Sequence, residues 1–474
     1  MDLAHNLQIA TELVQSISGE QAWHYQIVPE SVDTNRMVFC CSNTDEEDLQ
    51  AELEILFGCQ IGFKIVDEEV LKNALVRYYP KNLKGSKSAI KQFSGVYEDF
   101  LPKVISEAYG IGASDIHIEI YEEIARIRLR VDGKLVERYR VSREEYPALI
   151  NKIKIQANLD IAEKRLPQDG RIFFKGNIGE FDIRVSSLPT LNGEKIVLRI
   201  LNKDAGKISL EQLGFSKEQM EIYQKSIKRP NGIVLISGPT GSGKTTTLYA
   251  TLQLLNNEES NILTIEDPIE YTLEGINQVQ LKEDIGLDFS SALRTFLRQD
   301  PDIIMLGEIR DKETAQMAIR AALTGHLVFS TIHTNSAWGT ISRLVDMGIP
   351  PYLLAGTINL SMAQRLVRLL CSKCKVENAV DDSLFPPGFV PPNNLNKHSS
   401  PVGCEHCYYT GYSGRKAIYE LIPVEAEVER LIRENEAGSE EIHSLKHIQF
   451  LQNSAWELFS KQLTSIEEVY PFFI

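Results

Sequence analysis

Residues Gly238 to Thr246 read Gly-Pro-Thr-Gly-Ser-Gly-Lys-Thr-Thr, directly after the apolar run Gly232-Ile-Val-Leu-Ile-Ser237. A buried strand, a glycine-rich turn and a helix start, in that order, make a phosphate-binding loop. Gly238, Gly241 and Gly243 let backbone N–H groups turn inward toward a triphosphate, and the helix that follows adds its positive dipole end. Pro239, Thr240, Ser242 and Thr246 complete the loop. Lys244 can reach the β- and γ-phosphates, and the Thr245 hydroxyl can ligand Mg2+. The pattern implies binding of a nucleoside triphosphate.

Three further apolar runs end in reactive groups. Ile262-Leu-Thr-Ile265 leads into Glu266-Asp267-Pro268 and on to Glu270. Ile303-Ile-Met-Leu306 leads into Gly307-Glu308-Ile-Arg310-Asp311, and Leu327 to Ile332 begins after His326 and ends in His333-Thr-Asn335. Open α/β sheets bind ligands beyond the carboxyl ends of their strands, so these groups are expected on one edge. Phosphoryl transfer to water needs one acid near the metal and another to orient the attacking water. Glu266 and Glu308 are the candidates, with their division of labour open. His333, past the end of its strand, could sense the γ-phosphate, whereas either histidine could equally be structural.

Arginine supplies cations whose planar fork neutralises developing phosphate charge. Arg294, Arg298 and Arg310 lie within or beside this segment, and Arg184 and Arg199 lie on strands before it. The last two could act as arginine fingers or be salt-bridged strand arginines. Cys371-Ser-Lys-Cys374 and Cys404-Glu-His-Cys407 are two C-x-x-C pairs separated by 29 residues. Four thiolates in two such pairs suit a closed, tetrahedral, structural zinc site. Cys40, Cys41 and Cys59 read as buried small hydrophobes.

These groups need several folding units to position them. The chain has 474 residues, too many for one core, with 43% apolar and 24% charged residues. Residues 1–80 form a small N-terminal α/β unit, with Thr44-Asp-Glu-Glu47 as a capping box. The stretch Pro80 to Ser88 reads as a linker, bounded as 81–92. Residues 93–206 form an α+β (PAS-like) unit: Arg126, Arg128 and Arg130 alternate with apolar residues, and Asp132-Gly133 turns the hairpin. A basic tether, Leu201 to Lys207, leads into an α/β nucleotide-binding core at 207–370 with a parallel sheet covered on both faces. The tetracysteine module spans 371–417, its 375–403 spacer reading as a proline-rich irregular excursion, and 418–474 reads as helical.

The formal net charge of −15 argues against a surface built to neutralise nucleic-acid phosphates. No apolar run approaches the ~18 residues a membrane span needs, and the N-terminus lacks a signal-peptide pattern. A cytoplasmic chain is the expectation.

The runs Leu263 to Tyr271, Leu297 to Asp302, Gly307 to Asp311 and Thr324 to Asn335 closely resemble the ATPases that power type II secretion and type IV pilus assembly (the GspE/PilB-type family). Ser114 to Glu119, Leu159 to Gly170 and Gly411 to Arg415 fit the same family. The resemblance implies a RecA-like P-loop ATPase core. It also implies that Glu266, Asp267 and Glu270 fall on the Asp box, Glu308 on Walker B, and His326 and His333 on the His box. Arg184, Arg199, Arg294, Arg298 and Arg310 fall on nucleotide-facing arginines. ATP, Mg2+ and Zn2+ are the implied cofactors, and a homo-oligomer, usually a hexamer, the implied assembly. The N-terminal unit would dock on the cytoplasmic domain of an inner-membrane platform protein, placing the chain at the cytoplasmic face of that membrane without its own anchor.

The cysteine pairs favour extension-type motors over retraction motors, with type II secretion as the leading reading and pilus assembly the near alternative. A DNA-uptake or conjugation ATPase would show salt-sensitive nucleic-acid binding. A non-catalytic scaffold would have no use for Lys244, Glu266 and Glu308 together. Ile120 where the family has proline, Ile332 where it has leucine, and a tail around Phe459 to Leu463 without the usual glycine are departures.

Overall fold

The structure, a computed structural model, describes residues 7–474 except 8, 10–12, 15, 34–35, 43–45, 80–90, 93–96, 177, 202–207, 394, 435–440, 443–444 and 446–447. The capping box at Thr44, the linker from Pro80, the start of the second unit at Phe93 and the tether to Lys207 lie wholly or partly outside the described residues.

The N-terminal unit is a three-stranded sheet, β1 (Val28–Asp33), β2 (Arg36–Cys41) and β3 (Gln60–Ile65), with β2 parallel to β3. Its core takes in Phe39, Leu53, Leu71 and Leu75, together with the buried Cys40 and Cys41. Cys59 is half-buried beside it.

The second unit is a seven-stranded sheet in the order β4-β7-β6-β5-β10-β9-β8. Its strands are β4 (Lys91–Gln92), β5 (Asp115–Ile120), β6 (Ala125–Val131), β7 (Lys134–Val141), β8 (Gln168–Gly176), β9 (Gly179–Thr190) and β10 (Gly193–Ile200). Strand alternation puts Ile116, Ile118, Ile127, Leu129, Ile183 and Leu198 in one core with Val104 and Ile105 of the helix Tyr97–Gly110 and Leu149 and Ile153 of the helix Tyr146–Gln156. The intervening residues, Asp115, Glu119, Arg126, Arg128, Arg184 and Arg199, fall on the other face. The β6–β7 turn carries φ of 48° at Asp132 and 85° at Gly133, the left-handed pair a tight hairpin needs.

The third sheet runs β13-β12-β14-β15-β11-β16-β19. Its strands are β11 (Gly232–Ser237), β12 (Ile262–Glu266), β13 (Asn277–Gln280), β14 (Ile303–Leu306), β15 (Leu327–Ile332) and β16 (Ile358–Leu370), with β19 (Tyr412–Pro423) beyond them. These six run parallel to one another, and β16 pairs antiparallel with β19 at the edge. Each central strand is apolar on both faces: Ile233 and Leu235 enter one core, Val234 and Ile236 the other. This is the expected α/β architecture, a parallel sheet with both faces covered.

The segment read as an irregular excursion has order of its own. β17 (Val376–Ala379) pairs antiparallel with β18 (Lys397–Ser400). The proline-rich loop between them buries Phe385, which meets Trp456 at 5.8 Å and Phe459 at 6.0 Å between ring centroids. β19 (Tyr412–Pro423) then closes the core sheet against β16, so residues 418–423 are strand rather than helix. The prolines masked a packing role that only the distant aromatic partners supply. Among the described residues, no helix is long and apolar enough to cross a membrane.

Candidate active site

The phosphate-binding loop joins β11 to the helix Lys244–Leu255. Gly241 and Gly243 have φ of 79° and 87°, which other residues reach only under strain. A Cβ on Gly238 would stand 2.5 Å from the Gln364 carbonyl oxygen. Gln364 holds the loop from behind: its amide donates to Ser242 O at 2.8 Å and its carbonyl accepts from Thr247 Oγ1 at 2.9 Å. Lys244 Nζ donates to Gly238 O at 2.7 Å and Pro239 O at 3.1 Å. Burial pushes its pKa down from the ordinary value, Glu308 pulls it up, and Arg365 opposes that pull. Ser242 Oγ, within the loop, is buried and has no hydrogen-bond partner among the described residues.

The acids converge as the strand order requires, since β12, β14 and β15 run parallel side by side. Glu266 is buried and accepts from Thr264 Oγ1 at 2.6 Å, Gln278 Nε2 at 3.1 Å and the Tyr249 hydroxyl. Glu308 Oε2 lies 3.1 Å from His333 Nε2. Its other oxygen takes the Arg310 guanidinium, which also faces Asp267 at 3.5 Å. The helix after His333 starts at Ala337, whose N–H donates to the buried Glu420 carboxylate at 2.7 Å. Burial raises the Glu420 pKa.

Thr240 to Thr246, Glu266, Glu308 and His333 line a cavity of about 860 Å3. Its far wall comes from the second unit, where Asp115 holds Arg199 at 3.0 Å and Arg130 at 3.4 Å. Arg415 completes the wall and lies 3.4 Å from Asp132. The size suits a nucleotide.

Of the sequence-predicted arginines, Arg199 lines this cavity, Arg310 backs Glu308, and Arg184 lines an adjoining cavity, donating to Ile269 O at 2.6 Å. Arg294 and Arg298 are exposed outside it; Arg294 pairs with Glu313 at 3.0 Å and Arg298 donates to Arg294 O at 3.0 Å. His326 stands at the opposite end of β15 from His333, its Nδ1 2.9 Å from Ala321 O. The sequence reading missed Gln364, Asp115, Arg130, Arg415 and Glu420. Asp115 and Arg415 sit inside quoted motifs, but nothing in their type announces the cavity.

The four cysteine sulfurs lie within 4.8 Å of one another, with Cys371–Cys404, Cys374–Cys407 and Cys404–Cys407 at 3.9, 3.7 and 3.8 Å. These exceed a disulfide bond and match the edge of about 3.8 Å of a tetrahedron with Zn–S near 2.3 Å. Backbone N–H groups of Gly403 and Gly411 point at Cys374 and Cys407 sulfurs, both at 3.3 Å. The donor set fits Zn2+. The module meets the second unit directly, since Gly414 N donates to Asp132 Oδ2 at 2.8 Å.

A family profile described as "Type II/IV secretion system protein" matches residues 91–471, and an "MshEN domain" profile matches residues 3–84. Type II secretion system protein E of Pseudomonas aeruginosa is 47% identical over 368 residues, covering 77% of this chain and 73% of the relative. The type IV pilus assembly ATPase PilB of Myxococcus xanthus is 41% identical over 445 residues, covering 88% and 78%. Among solved structures, the pilus retraction motor PilT with bound ADP aligns at a TM-score of 0.53 and 28% identity, covering 78% of this chain and 95% of PilT. The Legionella pneumophila ATPase DotB aligns at 0.61 and 24% identity over 81% of this chain and 98% of its own, a likeness of fold. With its phosphate-binding loop, converging acids and both profiles in order, the chain belongs to the type II/IV secretion system ATPase family.

Proposed function

We propose that this chain is a Mg2+-dependent motor ATPase of type II secretion, its hydrolysis cycle driving pseudopilus assembly and protein export. One observation carries the reading: the loop, Glu266, Glu308 and His333 face a single cavity whose far wall belongs to another folding unit. A nucleotide filling it would touch both units, so hydrolysis and release would change their spacing.

Lys244 exchanges the Gly238 and Pro239 carbonyls for phosphate oxygens, and Ser242 gains its missing partner. Thr245, with Glu308 through water, would hold Mg2+, which neutralises phosphate charge. Glu266, fixed by three donors, is the preorganised acceptor that orients the attacking water. His333 reads the occupant through Glu308. Arg199 approaches the γ-phosphate as the units close, Arg184 stands beside it on the adjoining cavity, and Arg310 steadies Glu308. Arg294 and Arg298, exposed and outside their own chain's cavity, suit contacts to a neighbouring subunit's nucleotide in a hexameric ring. His326 serves the strand end structurally.

Cys371, Cys374, Cys404 and Cys407 would hold Zn2+, which would keep the module's contact with the second unit fixed. The N-terminal unit docks on the cytoplasmic domain of an inner-membrane platform protein, which holds the ATPase at the cytoplasmic face. Pilus assembly is the second reading, favoured by the 41% identity to PilB over 88% of the chain. Complementation of secretion-deficient and piliation-deficient strains by the same gene, with its Lys244→Ala variant as control, separates the two. Restored secretion without piliation supports the first.

A further inference from the structure

The face of the second unit's sheet opposite its apolar core carries a row of charges fixed by strand register. Arg171 stands opposite Arg184, and Arg184 opposite Arg199. Arg199 stands opposite Asp115, and Asp115 opposite Arg130. Like charges directly opposite on antiparallel strands oppose folding, so three arginines abreast call for an anion. Two have one: Arg199 pairs with Asp115 at 3.0 Å, and Arg184 with Glu270 at 3.4 Å. Arg171 is exposed and has no hydrogen-bond or ion-pair partner among the described residues.

These three arginines line a cavity of about 550 Å3, with Ser186, Pro268 and a single carboxylate, Asp169, among the other walls. Arg199 and Pro268 are shared with the nucleotide cavity, so the two spaces adjoin. Planar guanidinium forks converging from neighbouring strands are the donor set that takes phosphate in bidentate fashion.

We infer that this second cavity is a subsite for inorganic phosphate, receiving the cleaved phosphate as it leaves the loop past Pro268. Arg171 supplies the unengaged guanidinium. Arg184 is shared between the phosphate and Glu270, so an arriving dianion competes with the carboxylate that ties the two units together. Phosphate arrival thereby loosens this contact between the units, and phosphate departure lets Arg184 return to Glu270. The inference rests on the ATPase reading and deepens it.

The test uses the full chain loaded with a non-hydrolysable ATP analogue, whose terminal phosphate fills the loop position. Inorganic phosphate is titrated at constant ionic strength, with 31P line width as the readout. The parent is expected to bind one phosphate per chain beside the analogue. Arg171→Gln should weaken that binding about tenfold or more, with Arg171→Lys in between. Lys244→Ala, which loses the analogue, should still bind phosphate through Arg171. Phosphate that is displaced whenever the analogue binds would place the only site in the loop and overturn the inference, as would parent-like affinity in Arg171→Gln. Failure of the parent to bind the analogue at all is read directly in the loading step and sinks the ATPase reading instead.

Discussion

Glu308 Oε2 and His333 Nε2 stand 3.1 Å apart although 25 residues separate them in sequence. The contact exists because β14 and β15 are parallel neighbours and both release their chains on the edge where the phosphate-binding loop sits. A helix crossover returns the chain to the start of β15, so each strand delivers its reactive group at the same height. A shift of the Glu308 carboxylate would therefore reach the His333 loop without an intermediary.

Glu308→Gln and Glu266→Gln should both lower turnover by about 100-fold or more while leaving nucleotide affinity at saturating Mg2+ nearly intact. The variants should differ in their metal response. Glu308→Gln should raise the Mg2+ concentration needed for half-maximal ATP binding, and Glu266→Gln should leave it unchanged. Equilibrium binding at graded Mg2+ checks this. The same Mg2+ dependence in both variants would refute the assigned division of labour.

Gln364→Leu keeps the side-chain shape but leaves Ser242 O and Thr247 Oγ1 without their buried partner. The expected cost is about 2–4 kcal/mol of stability. Thermal melts with and without ATP should show a lower Tm and a smaller ATP-dependent rise than in the parent. An unchanged ATP-dependent rise would mean that the loop holds its shape without this clasp.

Chelation of the metal should loosen the four-cysteine module without emptying the phosphate-binding loop. Because Gly414 N donates to Asp132 at 2.8 Å, the β6–β7 turn should loosen with it. Hydrogen exchange should rise at residues 371–417 and at Asp132–Gly133 while ATP still binds. Loss of ATP binding on chelation would contradict a purely structural metal.

Acid should weaken the second unit through Glu119. Burial would raise its pKa, but hydrogen bonds from Arg128 and Lys195 win and hold it down to about 2. A carboxyl with a depressed folded-state pKa stabilises above its ordinary value and loses that stabilisation as pH falls toward the folded value. From about pH 4.5 to 2 the loss should approach about 3 kcal/mol. The denaturant midpoint of Glu119→Gln should lie below that of the parent at pH 6, and the gap should shrink as pH falls through this window. A gap independent of pH would assign the loss to packing rather than charge.

The loop, Glu266, Glu308 and His333 were legible because apolar runs with polar ends announce both the strand and its active edge. His326 and His333 were legible as flanking one strand, and they do mark opposite ends of its six residues. Which end faces the nucleotide follows from chain direction. Gln364 was invisible since it lies inside an apolar strand, and its role depends on β16 lying beside β11. The β17–β18 pair was hidden by prolines, and the anchor at Phe385 by partners some 70 residues away. Arg130 and Arg415 needed the approach of two units, which no local pattern encodes.

The most direct test of the central claim is Mg-ATP turnover per subunit measured against protein concentration, with Lys244→Ala as the blank. Turnover that climbs with concentration and vanishes in the variant is the predicted result, since Arg294 and Arg298 lie outside their own chain's cavity and sites would be completed across subunits. Turnover per subunit that stays constant down to concentrations where sedimentation shows only monomer would contradict a ring motor.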